Sequence, residues 1–253
     1  MYYKNNNSYL YYQKYGNSEN KILILPGWGD TRKTFNYLID NLKDKYTIYI
    51  IDWPGFGNSD FPNKDLTIYD YANMIIDFMK DLNINNPIII AHSFGGRITT
   101  LLSGYYKIKI NKLILIDIAG IRPRKNLIKR FKTFIYKFLK KLKVIIPKKK
   151  RNIYLKKLLK YFASTDYKNL DKNMYQTFKN IVNEDLKYTY KNIIQETLLI
   201  WGENDKSTPL KDGIYINNNI PNSELVIYQK ASHFSYLDYP ILTNNIINEF
   251  ISK

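Results

Sequence analysis

The sequence predicts one α/β domain, a mostly parallel twisted sheet flanked by helices and interrupted by a helical insertion. Short apolar runs alternate with amphipathic stretches over the first 120 residues, and this alternation resumes after residue 192. The segment between lacks strand-like runs. With 253 residues, 45% of them hydrophobic, the chain is long enough to bury a sizeable core. We therefore expect a core of residues 1–120 and 193–253 and a basic helical cap at 121–192.

Near-continuous apolar runs of four or five residues indicate strands that are buried on both faces, and apolar spacing of three or four residues indicates helices. The expected strands are Ser8–Tyr15 (an edge strand or hairpin), Lys21–Leu25, Thr47–Ile51, Pro87–Ala91, Lys112–Ile116, Thr197–Trp201 and Leu225–Tyr228. The expected helices of the core are Thr31–Leu42, Thr67–Leu82, Gly95–Gly104, Pro209–Asn218 and Tyr239–Ile251.

Composition excludes several classes of site. The chain has no cysteine, so it has no disulfide, catalytic thiolate or cysteine-based zinc site, and two histidines are too few for a histidine-rich metal site. The glycine-containing loops at 27–29 and 55–57 do not read Gly-x-Gly-x-x-Gly, so we expect no nucleotide cofactor. Carboxylates could still hold a hard cation, but we assign no residue to a metal site. The first residues lack the apolar stretch of a secretory signal, and no apolar run approaches about 18 residues, which predicts a soluble cytoplasmic protein.

One turn carries a candidate nucleophile. A predicted strand runs directly into Ser93, and the Ala-His-Ser-Phe-Gly sequence at 91–95 fits a nucleophile elbow, the tight strand-to-helix turn that lifts a serine hydroxyl above a sheet. Neighbouring backbone crowds the positions two before and two after the serine, and both are small here, Ala91 and Gly95. The same residues also fit a turn that uses glycine for geometry alone, so the motif by itself leaves the role of Ser93 open.

Four other segments complete a pattern around this turn. They are Leu25-Pro26-Gly27-Trp28-Gly29, Asp52-Trp53-Pro54-Gly55-Phe56-Gly57-Asn58-Ser59, Trp201-Gly202-Glu203-Asn204-Asp205 and Ala231-Ser232-His233-Phe234. In this order they resemble the α/β-hydrolase family, and the chain is broadly similar to small bacterial carboxylesterases, including the pimeloyl-carrier-protein methyl ester esterase group, whose Gly-Trp-Gly loop it shares. It departs from the family at Pro26, where histidine is commoner, and at Ala91, where glycine is usual.

The resemblance implies an α/β-hydrolase fold and a triad of Ser93, Asp205 and His233, in the nucleophile–acid–base order of this fold. His233 would be the general base that takes the proton of Ser93, and Asp205 would orient its imidazole. The backbone N–H groups of Trp28 and Phe94 would form the oxyanion hole.

Competing assignments remain for two of these residues. Asp117, at the end of a predicted strand, is the alternative acid, since Asp205 could simply form a turn before Pro209. The other histidine, His92, directly precedes Ser93, and its backbone position points its side chain away from that of the serine. Haloalkane dehalogenases and epoxide hydrolases are disfavoured, because they carry aspartate at the position of Ser93.

The net charge of +17 is concentrated in the insertion. Residues 121–192 hold 22 lysines and arginines against 4 acidic residues, so the remainder of the chain is close to neutral. Apolar residues at 127, 128, 131, 134, 135, 138, 139 and 142 form a helical stripe between these basic positions. The lysines could form a solvated cap face, recognise an acidic partner such as an acyl-carrier protein or a phosphate-bearing substrate, or dock on an anionic membrane surface. Nucleic-acid binding is disfavoured, because no recognised module is present.

The sequence therefore predicts hydrolysis of a carboxylic ester or thioester, a small-molecule substrate, through an acyl intermediate on Ser93. Two alternatives stay open: a carbon–carbon hydrolase or lyase on the same triad, and a non-catalytic binding protein with a basic cap.

Overall fold

The computed structural model of the protein describes residues 1–5, 8–122, 139, 147, 150–154 and 170–253. Its strands are β1 (Tyr2–Asn5), β2 (Ser8–Tyr15), β3 (Lys21–Leu25), β4 (Thr47–Ile51), β5 (Ile88–His92), β6 (Lys112–Ile116), β7 (Glu196–Gly202) and β8 (Ser223–Tyr228). Its α-helices are α1 (Asn36–Leu42), α2 (Ile68–Asp81), α3 (Phe94–Gly104), α4 (Tyr175–Asn183), α5 (Lys187–Tyr190), α6 (Leu210–Asn217), α7 (Ser235–Asp238) and α8 (Pro240–Ser252). Short 3₁₀ helices at Arg32–Phe35 and Lys172–Met174 precede α1 and α4.

The eight strands form one sheet in the order β1-β2-β4-β3-β5-β6-β7-β8. β2 pairs antiparallel with β1 and β4, whereas every pair from β4 to β8 is parallel. The register aligns the carboxyl ends of the central strands, with Leu25 beside Ala91, and His92 beside Ile116. This arrangement confirms the predicted mostly parallel sheet flanked by helices.

Helices cover both faces of the sheet, because side chains alternate along each strand. Leu23 and Leu25 of β3 belong to a core on the face covered by α2, α3, α5 and α6. Ile22 and Ile24 belong to a second core, on the face covered by α1 and α8. Every strand from β3 to β7 is therefore apolar on both faces, which is why these strands read as continuous apolar runs.

Local signals set the ends of the predicted elements. The Thr67 side chain accepts a hydrogen bond from the backbone N–H of Asp70, whose carboxylate accepts one from the Thr67 N–H, so a capping box starts α2. The strands predicted at Lys21–Leu25, Thr47–Ile51 and Lys112–Ile116 are confirmed to the residue.

Three features differ from the prediction. Of the two forms expected for Ser8–Tyr15, an edge strand or a hairpin, the structure shows a hairpin, whose other strand, β1, was not predicted and takes the sheet edge. The helix expected at Thr31–Leu42 is a 3₁₀ turn followed by α1, since the Thr34 hydroxyl donates to the Thr31 carbonyl or the Asp30 carboxylate and competes with the helical ladder. The short helix α7 was not predicted at all.

The expected apolar stripe at 127–142 lies, except for residue 139, outside the described residues, and the division into core and cap stays a prediction. None of the helices in the described ranges is long and apolar enough to cross a membrane.

Candidate active site

The carboxyl ends of the parallel strands bring all the predicted site residues to one edge of the sheet. Trp28 follows β3, Ser93 follows β5, Asp117 follows β6, Asp205 follows β7 and His233 follows β8. Loops at this edge are the usual place for a binding site in an open α/β sheet.

Ser93 makes a strained turn between β5 and α3. Its φ of 47° and ψ of −108° are rare outside glycine. A side chain at Gly95 would overlap the carbonyl oxygen of Leu25, so α3 can pass this close to β3 only with glycine at that position. The structure thus shows why the turn needs a small residue two positions after the serine. The strained backbone presents the hydroxyl at the edge of the sheet.

Three of the predicted residues form one hydrogen-bonded chain. His233 Nδ1 lies 2.7 Å from Asp205 Oδ2, and His233 Nε2 lies 3.0 Å from Ser93 Oγ. A carboxylate can only accept, so Nδ1 carries the proton and the Nε2 lone pair faces the serine hydroxyl. This is the tautomer that can take a proton from Ser93.

Asp205 is held as a charged acceptor. Its Oδ1 accepts from the backbone N–H groups of Ser207 at 2.7 Å and Thr208 at 2.9 Å, and its Oδ2 accepts from the Thr208 hydroxyl at 2.6 Å. Burial raises the pKa of Asp205, but the hydrogen bonds and charge of His233 and the Thr208 bonds outweigh it, so the pKa lies below the ordinary value.

Asp117, the alternative acid, has other partners. Its carboxylate accepts from the backbone N–H of Gly202 at 2.8 Å and from the Ser235 N–H and hydroxyl at 3.1 and 2.6 Å. Burial raises its pKa to about 7. Within the described part of the chain no hydrogen bond joins Asp117 to His233, so this carboxylate ties β6 to β7 and α7 instead.

The two predicted oxyanion donors are the backbone amides of Trp28 and Phe94. Among the described residues, no carbonyl or side chain accepts from the backbone N–H of Trp28 or Phe94. Phe94 is the first residue of α3, where a backbone N–H has no acceptor inside the helix. Gly29, with φ of 75°, allows the tight turn after β3 in which the Asp30 N–H donates to the Gly27 carbonyl at 3.2 Å.

The Trp28 side chain belongs to an aromatic cluster beside these amides. Its ring centroid lies 5.1 Å from Phe94, 4.9 Å from Phe56 and 5.6 Å from Phe178 of α4. The loop that contains Phe56 is itself fixed by Asp52, whose carboxylate accepts from the Asn58 backbone N–H at 3.0 Å. An apolar wall therefore lies next to the serine turn.

Sequence reasoning did not anticipate three contacts of the site. The Thr208 hydroxyl supports Asp205, Ser235 holds Asp117, and His92 Nε2 lies 2.8 Å from the His233 carbonyl oxygen. None has a motif of its own, and the position of His92 beside Ser93 was the one available signal. In the described ranges no three metal-ligating side chains cluster together.

Comparison with known proteins identifies the family of the chain. A sequence model of the alpha/beta hydrolase fold matches residues 20–240. The chain is 27% identical over 259 residues to the pimeloyl-[acyl-carrier protein] methyl ester esterase of Wigglesworthia glossinidia brevipalpis, covering 94% of this chain and 96% of that protein. It is 26% identical over 243 residues to the putative esterase/lipase 2 of Mycoplasma genitalium, covering 93% and 90%.

A solved structure confirms the fold. The alpha/beta hydrolase MGS-M2 from a Medee basin deep-sea metagenome library superposes with a TM-score of 0.78 at 18% identity, covering 100% of this chain and 98% of its own. The chain belongs to the α/β-hydrolase fold family, and the family together with its esterase relatives supports a hydrolytic enzyme.

Proposed function

We propose that the protein is a serine hydrolase that cleaves a carboxylic ester or thioester through an acyl-Ser93 intermediate. The observation that carries this proposal is the unbroken chain from Ser93 Oγ through the His233 ring to Asp205. A nucleophile, a base with the correct tautomer and a charged orienting acid are the three parts that acyl transfer to serine needs.

The reaction follows from these contacts. His233 Nε2 takes the Ser93 proton as Oγ attacks the substrate carbonyl carbon, and the N–H groups of Trp28 and Phe94 stabilise the resulting oxyanion. Collapse of the tetrahedral intermediate breaks the bond to the alcohol or thiol, which receives the proton from His233. A water molecule then gives a proton to His233 as it attacks the acyl-Ser93 carbonyl carbon. Breakage of the bond to Ser93 releases the carboxylic acid product, and Oγ takes the proton back from His233.

Asp205 is our choice for the acid rather than Asp117. Asp205 contacts Nδ1 of His233 and has a lowered pKa, so it stays charged and stabilises the imidazolium that forms. Asp117 has a raised pKa and donors that already occupy both carboxylate oxygens.

The aromatic wall and the relatives support the substrate class. Phe178 contacts the ring of Trp28, whose backbone N–H is a proposed oxyanion donor, and the two rings would contact an apolar acyl group. A relative named for a carrier-protein methyl ester supports an ester that is presented on an acidic carrier protein.

We further propose that residues 121–192 form a cap that sets the substrate or partner. Described residues near its carboxyl end support this, because Phe178 reaches Trp28, and the Thr177 hydroxyl accepts from the Leu66 backbone N–H at 3.0 Å. The charge of this segment suits an acidic carrier protein or an anionic membrane. Co-sedimentation with anionic and neutral vesicles at low salt tests the membrane hypothesis. Equal binding to both kinds of vesicle would exclude it.

Labelling with a fluorophosphonate probe tests the proposed function. We expect the wild type to gain one covalent adduct on Ser93, located by mass spectrometry of the digest, and Ser93→Ala to gain none. Ser103→Ala is the matched control, since Ser103 is buried on α3 and bonds to Gln195 instead of His233. Absence of an adduct on the folded wild type would overturn the serine mechanism.

Hydrolysis of p-nitrophenyl esters of increasing chain length then tests the ester assignment. We expect rates that depend on acyl length, because the apolar wall would contact the acyl chain. Negligible rates across the series, with Ser93 still labelled, would favour the carbon–carbon hydrolase or lyase.

A further inference from the structure

His92 occupies a position that the proposed reaction does not use. It is the last residue of β5, directly before Ser93, and its side chain is almost fully buried, at 1% exposure. Its Nε2 lies 2.8 Å from the backbone carbonyl oxygen of His233. A carbonyl oxygen can only accept, so His92 Nε2 carries a hydrogen and donates it to the loop that holds His233.

The imidazole of His92 also lies between the other loops of the site. A side chain at Gly27, in the loop before Trp28, would come within 2.8 Å of His92 Nδ1, so this loop packs directly on the ring. The ring centroid lies 4.9 Å from Phe234 and 5.2 Å from Tyr236, which follow His233. One side chain therefore contacts the loop of the proposed oxyanion donor and the loop of the proposed base.

Among the described residues, the His92 ring makes one hydrogen bond, through Nε2. His92 Nδ1 has no hydrogen-bond partner among the described residues and faces Asp30 Oδ2 at 3.8 Å. Burial lowers the pKa of His92 to about 3, so the ring is neutral wherever the enzyme would work. A neutral donor suits a site 4.9 Å from the His233 ring, because a cation there would oppose protonation of His233 during the reaction.

We propose that His92 is a positioning residue, whose hydrogen bond to the His233 carbonyl and whose contacts with the loop at Gly27 keep His233 Nε2 in reach of Ser93 Oγ. This inference rests on the proposed function. Ser93 follows His92 directly in the chain, and the His233 carbonyl accepts from the His92 side chain, so a change at His92 bears on the separation of Ser93 and His233. Even a small misplacement of reacting groups lowers the rate of the chemical step, and it affects substrate binding less.

Two substitutions separate the hydrogen bond from the packing. His92→Gln keeps an N–H donor near the position of Nε2, whereas His92→Leu keeps a side chain of similar size without a donor. We expect His92→Leu to lower kcat for a p-nitrophenyl ester by about 10²-fold, the size of effect that a misplacement of ~1 Å produces. KM should change little, and His92→Gln should return kcat to within roughly fivefold of the wild type, since the hydrogen bond that positions His233 is restored.

Thr100→Val is the matched control, because it removes a buried hydroxyl bond to the backbone of Arg97, away from the histidine loop. It should leave kcat and KM unchanged. Circular dichroism and thermal unfolding establish that each variant is folded. If His92→Leu does not fold, His92→Asn replaces it. The Asn side chain is one methylene shorter than that of Gln, so kcat of His92→Asn should fall below that of His92→Gln at equal KM.

The outcomes distinguish this inference from the proposed function. A wild type that fluorophosphonate does not label would overturn the serine mechanism itself. A labelled wild type with His92→Leu, His92→Gln and the control all at wild-type kcat would overturn only the role of His92. Equal losses in His92→Leu and His92→Gln, or in His92→Asn and His92→Gln, would also overturn it, because packing alone would then explain the effect.

Discussion

The loops after β6 and β7 each bury one aspartate at the same edge of the sheet, yet the two carboxylates meet different surroundings. Asp205 accepts from Thr208 and His233, and its pKa is lowered despite burial. Asp117 accepts from Ser235 and a backbone N–H, and burial raises its pKa to about 7. Both carboxylates are buried, but the hydrogen bond and charge of His233 help to outweigh the burial of Asp205, whereas the hydrogen bonds of Asp117 do not outweigh its burial.

The two carboxylates also differ in what they connect. Asp117 holds Gly202 at the end of β7 and Ser235 at the start of α7, and its carbonyl oxygen lies 3.0 Å from the Thr208 hydroxyl. It therefore stabilises the loop that contains Asp205, while the Asp205 carboxylate itself contacts His233. Neighbouring strand ends thus differ in their contacts: the carboxylate of Asp205 bonds to His233, whereas that of Asp117 holds the surrounding loops.

Asp205→Asn has the largest expected effect on activity. The amide cannot balance the charge of protonated His233, and its N–H₂ group can favour the wrong imidazole tautomer, so kcat should fall by about 10³- to 10⁴-fold. KM should stay similar. Steady-state hydrolysis of a p-nitrophenyl ester measures both. Asp117→Asn is the matched comparison, and a larger loss of kcat there than in Asp205→Asn would reverse the assignment of the acid.

Asp117 should instead control stability against pH. A carboxyl whose pKa is about 7 when folded and near 3.8 when unfolded binds more protons in the folded state between these values. Stability from this group is present at low pH and is lost as pH rises from about 4 to 7, by roughly 4 kcal/mol in total. Asp117→Asn removes the titration, so its unfolding free energy should change less over this range.

Urea unfolding of wild type and Asp117→Asn at several pH values measures this difference. Asp30, Asp52 and Asp212 also have pKa values raised by burial, so the wild-type slope alone does not isolate Asp117. Subtracting the two curves does isolate it. Parallel curves from pH 4 to 7 would mean that Asp117 is ionised throughout, like Asp205.

The sequence predicted the strands of the core well for a physical reason. Thr47–Ile51 and Lys112–Ile116 are buried on both faces and end at polar or turn residues. Their limits therefore follow from the order of apolar and polar residues along the chain. Tyr2–Asn5 was missed because its strand identity comes from pairing with β2. The turn expected at Ser93 is present, because it depends on adjacent small residues that a sequence displays directly.

The site could be predicted only in part for a related reason. Asp117 and Asp205 both follow an apolar strand, and spacing along the chain does not reveal which carboxylate faces His233. That choice depends on loop contacts, such as the bonds of Asp205 to Thr208 and of Asp117 to Ser235. The contact of His92 with His233 spans 141 positions and likewise has no local signal.

Thr208→Val gives the smallest expected effect. The hydroxyl lies 2.6 Å from Asp205 Oδ2, and a hydrogen bond to a charged group contributes about 1.5–3 kcal/mol, of which only a part bears on the reaction. Since the backbone N–H of Thr208 still holds Asp205 Oδ1, we expect kcat to fall by roughly tenfold or less. Thr100→Val controls for the loss of a buried threonine hydroxyl. A loss as large as that of Asp205→Asn would mean that the geometry of this loop, and not the charge of its carboxylate, accounts for the difference between the two strand ends.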